Sequence, residues 1–286
     1  MECREFLADP DRKNFRMKKT TSLPVRLIRC LRVGIHLFVA IVRVALVYPF
    51  IGDTQRLQLK QRWSRQLLDI LCIRLDGKVD GVVPGTLFVG NHISWLDIFA
   101  LNALRPVSFV AKSEVRSWPL IGWLVAHTGN LFIRRGNRQD AIEASRVLAR
   151  HLGEGRDVAI FPEGTTSDGL RVLEFRGALL QAAIDSGRPL QAVALAYYDD
   201  NGQRTTAPAY AGETTLLECL LAILSCPALT VSLSLLPPVD TSGRERRELA
   251  DFLRKSIARQ LGLPEDLPKA GDKPFLPECL QSRKDQ

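Results

Sequence analysis

A chain of 286 residues with 46% hydrophobic and 24% charged side chains has a folded protein's composition, which excludes an intrinsically disordered one. The length admits one large α/β domain, or a smaller one with an appendage. A formal net charge of +8 leaves three anionic partners to weigh: nucleic acid, an anionic membrane surface and a phosphorylated substrate.

The six cysteines (Cys3, Cys30, Cys72, Cys219, Cys226 and Cys279) form no Cys-x-x-Cys pair and stand beside no histidine at metal-ligand spacing. Several lie in apolar runs such as LLDILCIRL and LLECLLAILSC, where a reduced cysteine acts as a small hydrophobe. That usage fits a cytoplasmic compartment, and no metal site is expected. Residues 1–20 are polar and charged and do not read as a cleavable signal peptide.

Val33 to Ile51 is the first strongly apolar stretch, long enough to span a bilayer. Its dozen Leu, Ile, Val and Phe residues gain roughly 0.3–0.6 kcal/mol each on insertion, while Arg43 costs about 2.5–3.5 kcal/mol. His36, Gly34 and Pro49 erode the remainder, so insertion is marginal. Lysines and arginines flank the stretch on both sides, from Lys18 to Arg32 and from Arg56 to Arg65. The positive-inside rule therefore assigns no orientation, and both ends fit one anionic leaflet, as in an interfacial or re-entrant helix. The next segment, RLQLKQRWSRQLLDILCIRL, has helical spacing at Leu57, Trp63, Leu67, Leu68 and Leu71 with a basic opposite face. Residues 1–74 are read as a basic, apolar helical membrane anchor; the competing reading makes both segments core helices of a soluble domain.

From about residue 75, β-rich runs alternate with helix-period segments: TLFVG and WLDIFALNAL, VSFVAK and WPLIGWLVAH, NLFIRR and QDAIEASRVLARHL, DVAIFP and EFRGALLQAAIDSG, then LQAVALAYY. A further strand at LTVSLSLL and a closing helix at ERRELADFLRKSIARQLG follow. Such alternation predicts an α/β domain over 75–263, a mostly parallel mixed sheet flanked by helices. Asp199 to Pro208 reads as a surface loop and 264–286 as a tail. Trp95, Trp118 and Trp123 are expected on apolar helix faces, in the core or facing the membrane. In open α/β sheets chemistry gathers at the carboxyl ends of strands.

After TLFVG comes Asn91-His92-Ile93-Ser94-Trp95-Leu96-Asp97. On one continuous helix His92 and Asp97 would diverge by about 140°. With His92 on the turn before the helix, the two side chains can converge. A carboxylate accepting from one ring nitrogen fixes the tautomer and leaves the other as a base. By itself the pattern is better explained by a structural histidine and a helix-capping aspartate, since it arises often by chance. After DVAIFP comes Glu163-Gly164-Thr165-Thr166-Ser167, whose backbone donors and hydroxyls suit an anion. Between the two, Arg134, Arg135 and Arg138 follow a strand, where arginine can hold a phosphate bidentately.

In combination, NHISWLD, GNLFIRR, FPEGTTS and RPLQAVALAY occur in the order and spacing of the glycerolipid acyltransferase family, and the resemblance covers roughly residues 60 to 240. It implies His92 as general base, Asp97 as its orienting partner, and Arg135, Lys112 and the Glu163-Gly164-Thr165-Thr166 loop as binders of the acceptor's headgroup. It also implies an acyl-CoA or acyl-carrier-protein donor, no cofactor, a lysolipid acceptor, and a place on the cytoplasmic face of the inner membrane. One departure stands out. Many lysophosphatidate acyltransferases have arginine after Glu-Gly-Thr, where this chain has Thr166. Either Lys112, Arg135, Arg138 or Arg176 supplies that charge, or the acceptor is an amino-acid lysolipid such as lyso-ornithine lipid.

Other classes fit less well. An α/β-hydrolase would need a Gly-x-Ser-x-Gly elbow, which the chain lacks. A non-catalytic membrane-surface protein leaves His92 and Asp97 without a task. Nucleic-acid binding is not expected, because the basic residues cluster beside the apolar run rather than among stacking aromatics.

Overall fold

The computed structural model describes residues 20–133 and 138–266. The expected binders Arg134 and Arg135 lie outside the described residues, as do Cys3, Cys279 and most of the expected tail.

The first helix among the described residues is α1, Leu23–Leu46, which starts ten residues ahead of the expected apolar stretch. Arginines dilute the hydropathy of its first turns, but they are spent on carbonyls. Arg26 Nε donates to Thr21 O at 2.9 Å, and Arg29 donates to Cys226 O and Pro227 O at 2.9 and 3.0 Å. Helix α2, Asp53–Ile70, follows after a 3-10 turn at Tyr48–Phe50. Its apolar side is core rather than anchor, because Leu67, Leu68 and Leu71 are buried beneath the sheet. Its basic side caps the end of α3 (Leu96–Leu104): Gln61 donates to Ala103 O and Leu104 O, and Arg65 to Ala103 O. The boundary expected at residue 75 falls inside strand β1, Ile73–Gly77.

Seven strands, counted among the described residues, form one sheet in the order β1-β7-β6-β2-β5-β3-β4. They are β1, then β2 (Leu87–Gly90), β3 (Ser108–Lys112), β4 (Leu131–Ile133), β5 (Val158–Ile160), β6 (Leu190–Tyr198) and β7 (Leu229–Val239). From β6 through β4 all neighbours are parallel, as the strand–helix alternation predicts. β7 turns back against β6, and β1 runs parallel to β7.

Each face of the sheet has its own core. One buries side chains of α2, α3 and α7 (Leu216–Ser225). The other buries α5 (Arg138–Gly153), α6 (Gln181–Ser186) and α8 (Arg246–Gln260). The helix expected to begin near Glu174 is shorter, and a 3-10 turn at Gly177–Leu180 precedes α6. Arg176 N donates to Pro162 O at 3.0 Å, which holds this stretch extended against the loop after β5.

α1 is inverted relative to a helix on a soluble protein. It turns Arg29, His36, Ala40 and Val44 inward, while Leu27, Ile28, Leu31, Ile35, Phe38 and Leu46 are exposed. His36 stacks on Trp63 of α2 at 4.7 Å, and each ring N–H donates to the other residue's backbone carbonyl, at 3.0 and 3.2 Å. A helix with polar side chains docked on the protein and apolar ones exposed presents a surface for lipid. Trp118, at 47% exposed, and Trp123 of α4 (Ile121–His127), at 37%, also stand outside the core.

Candidate active site

β2 and β5 are adjacent parallel strands, so the loops leaving their carboxyl ends emerge side by side. His92 is on the first loop, two residues past β2. Asp97 is the second residue of α3. The loop turns the histidine back, and His92 Nδ1 lies 2.8 Å from Asp97 Oδ2. The same oxygen accepts the backbone N–H groups of Ile93 and Ser94 at 2.7 and 2.9 Å. Oδ1 accepts the hydroxyl of Tyr197, near the end of β6, at 2.6 Å. Asp97 is fully buried, whereas the His92 side chain is 19% exposed.

The tautomer follows from these contacts. An ionised carboxylate is only an acceptor, so Nδ1 carries the proton and Nε2 keeps its lone pair for chemistry. Burial, and then the neighbouring Asp97, push the Tyr197 phenol well above its ordinary range, so it remains a donor. With four N–H or O–H groups aimed at it, the Asp97 charge can be held out of water. The His92 ring stacks on Phe161 at 4.0 Å, and Phe161 stacks in turn on Phe109.

The Glu163 loop is stitched to this centre. Glu163 Oε1 accepts the His92 backbone N–H at 3.0 Å, and the N–H of Ser167 donates to His92 O at 2.8 Å. Gly164 has φ +74°, a left-handed conformation that glycine adopts without a Cβ clash. Glu163 is buried, and Oε2 has no hydrogen-bond partner among the described residues. Burial pushes its carboxyl up to about 8 against the pull of backbone donors from His92 and Leu173, with Asp97 and Asp168 pushing the same way. Burial therefore favours the uncharged acid at Glu163 near neutral pH.

Other expected residues sit differently. The Thr166 hydroxyl donates to Tyr210 O, so it ties the loop to the β6–α7 connection instead of standing free for a ligand. The N–H of Tyr210 donates to Ile93 O at 2.9 Å, so one residue binds both loops. Thr165 is exposed at the tip. Lys112 ends β3, exposed at the same edge of the sheet and two strands from β2. Tyr197, Tyr210 and Asn91 were not among the residues singled out by sequence. Asn91 bridges to Leu195 of β6 through both its amide atoms, at 3.0 and 2.8 Å. The signal for Tyr197 was available, since a tyrosine closing an apolar strand needs a partner for its hydroxyl.

A buried carboxylate aligning a histidine at the carboxyl edge of a parallel sheet is an arrangement suited to activating a hydroxyl. A family model described as Acyltransferase matches residues 80–196. The 1-acyl-sn-glycerol-3-phosphate acyltransferase of Neisseria gonorrhoeae is 43% identical over 174 residues, 60% of this chain and 68% of that protein. The lyso-ornithine lipid O-acyltransferase of Pseudomonas aeruginosa is 41% identical over 203 residues, 70% of this chain and 78% of that one. The crystal structure of the 1-acyl-sn-glycerophosphate (LPA) acyltransferase PlsC from Thermotoga maritima shares the fold, with a TM-score of 0.63. That match has 21% identity and covers 84% of this chain and 94% of the other. This chain belongs to the glycerolipid acyltransferase family and is an acyltransferase.

Proposed function

We propose that the enzyme O-acylates a lysolipid at the membrane surface, with 1-acyl-sn-glycerol-3-phosphate as acceptor and acyl-CoA or acyl-carrier protein as donor. In this reading His92 Nε2 takes the proton of the acceptor hydroxyl as its oxygen attacks the thioester carbonyl. The tetrahedral intermediate collapses, expels the thiolate, and the imidazolium returns the proton to sulfur. Asp97 keeps the tautomer and stabilises the imidazolium. The 2.8 Å contact between His92 and Asp97, with Nε2 left as the base, is the observation that carries the reading. The apolar face of α1 supports a membrane setting, which we place on the cytoplasmic leaflet, where carrier thioesters are made.

Lyso-ornithine lipid is the second acceptor to weigh. Thr166 stands where a phosphate-binding arginine is common in lysophosphatidate acyltransferases, and its hydroxyl is engaged by Tyr210. A relative acting on lyso-ornithine lipid is also matched over 78% of its length.

The deciding experiment offers purified enzyme an acyl thioester with each lysolipid in turn, alongside His92→Ala. Acylation of 1-acyl-sn-glycerol-3-phosphate by the wild type, lost in the variant while fold and membrane association persist, is the expected result. Acylation of lyso-ornithine lipid alone would reassign the acceptor, and normal turnover by His92→Ala would sink the mechanism.

A further inference from the structure

We propose that the phosphate groups of the acyl donor bind in a groove between the Glu174–Gly177 segment and α8, apart from the His92 centre. The proposal rests on the reading above, in which the donor is a thioester on a phosphopantetheine arm.

The groove encloses about 410 Å³ and is lined by Arg176, Arg247 and Arg254, with Glu174 and Asp251 as its acidic members. Arg254 is the unusual one. It is only 4% exposed, its Nη2 donates to Asp251 at 3.2 Å, and its buried Nη1 has no hydrogen-bond partner among the described residues. A buried guanidinium with an unused donor is poised for an anion, since a phosphate oxygen would satisfy it. Asp251 does not cancel the site. Lys255 Nζ lies 2.7 Å from its other oxygen, so its charge is shared between two cations. Three arginines and Lys255 against two carboxylates leave a net positive groove.

Arg176, weighed from sequence as an acceptor contact, lines this groove with Arg247 and Arg254 instead, and the position of the groove favours the donor over the acceptor. The groove wall is tied to the active-site loop by the Arg176 N–H, which donates to Pro162 O one residue before Glu163. At Gly177 an added Cβ would come within 2.7 Å of Arg246 O, so glycine lets the wall approach α8 closely. α8 packs on the sheet face opposite α2, α3 and α7, and α1 docks on α2 and α7. The lipid-facing surface is thus on one side of the sheet and the basic groove on the other. A membrane-dissolved acceptor and a water-soluble donor would approach from these two sides.

The test uses the full-length enzyme with three donors: acyl-CoA, acyl-carrier protein, and an acyl-pantetheine thioester lacking phosphate. Arg176 and Arg247 are both exposed, so Arg176→Ala/Arg247→Ala does not disturb a core. The double variant is expected to raise KM roughly tenfold or more for the phosphorylated donor the enzyme uses. Its kcat, its KM for the lysolipid and its KM for acyl-pantetheine should stay at wild-type values. A rise with acyl-carrier protein alone, or with acyl-CoA alone, supports the groove and identifies the donor. An equal rise with acyl-pantetheine, or none with either phosphorylated donor, overturns it. A wild-type enzyme that uses no thioester overturns the parent reading, and the groove with it.

Discussion

Replacing Asp97 by asparagine separates alignment from charge at the candidate base. The amide oxygen can occupy the place of Oδ2 and keep accepting from His92 Nδ1, Ile93 N and Ser94 N. The amide nitrogen then meets the Tyr197 hydroxyl, which can rotate to accept. Geometry survives and the negative charge does not. With the charge centres about 4 Å apart and an effective dielectric near 20, the lost attraction to a forming imidazolium is about 4 kcal/mol. That corresponds to a kcat lower by roughly 10³-fold at 1.36 kcal/mol per decade. Thiol release with saturating donor and acceptor measures it, and the KM for lysolipid and the thermal midpoint should stay near wild type. A fall in kcat of under about tenfold in a well-folded Asp97→Asn would refute the electrostatic role.

Two further outcomes follow from groups outside that pair. Glu163 has its folded-state pKa raised to about 8, above the ordinary 4.5, so the folded state binds more protons between these values and stability falls as pH rises through that window. Glu163→Gln, which mimics the neutral acid, should match wild type in denaturant midpoint near pH 5 and exceed it near pH 9; the opposite ranking would show that Glu163 is charged when folded. On α1, Leu31 and Phe38 are 65% exposed each. If they enter lipid, Leu31→Ser/Phe38→Ser loses about 3–6 kcal/mol of transfer energy, or roughly 10²–10⁴ in vesicle partitioning. Unchanged sedimentation with vesicles would remove this face from the membrane.

The local order of the chain was legible without coordinates. Alternating β-rich and helix-period segments gave the parallel core of the sheet, because strand and helix periods depend on neighbours in sequence. The apolar run before residue 51 marked α1, and two motifs placed the histidine and the Glu163 loop on turns after strands, with the aspartate at the start of the following helix. Only the tertiary structure decided what those residues do together. Asp97 becomes a buried, fully bonded anion through Tyr197, a hundred residues away on β6, and no local pattern encodes that meeting. Glu163 becomes neutral because the fold removes it from water. Thr166, read as a ligand contact, is drawn to Tyr210 by a loop from another part of the sheet. Likewise α2 looked like membrane anchor, since its basic face is spent on the carbonyls of α3 only after the chain has folded. Periodicity sets which elements form; burial and long-range hydrogen bonds set which side chains are charged, engaged or free to react.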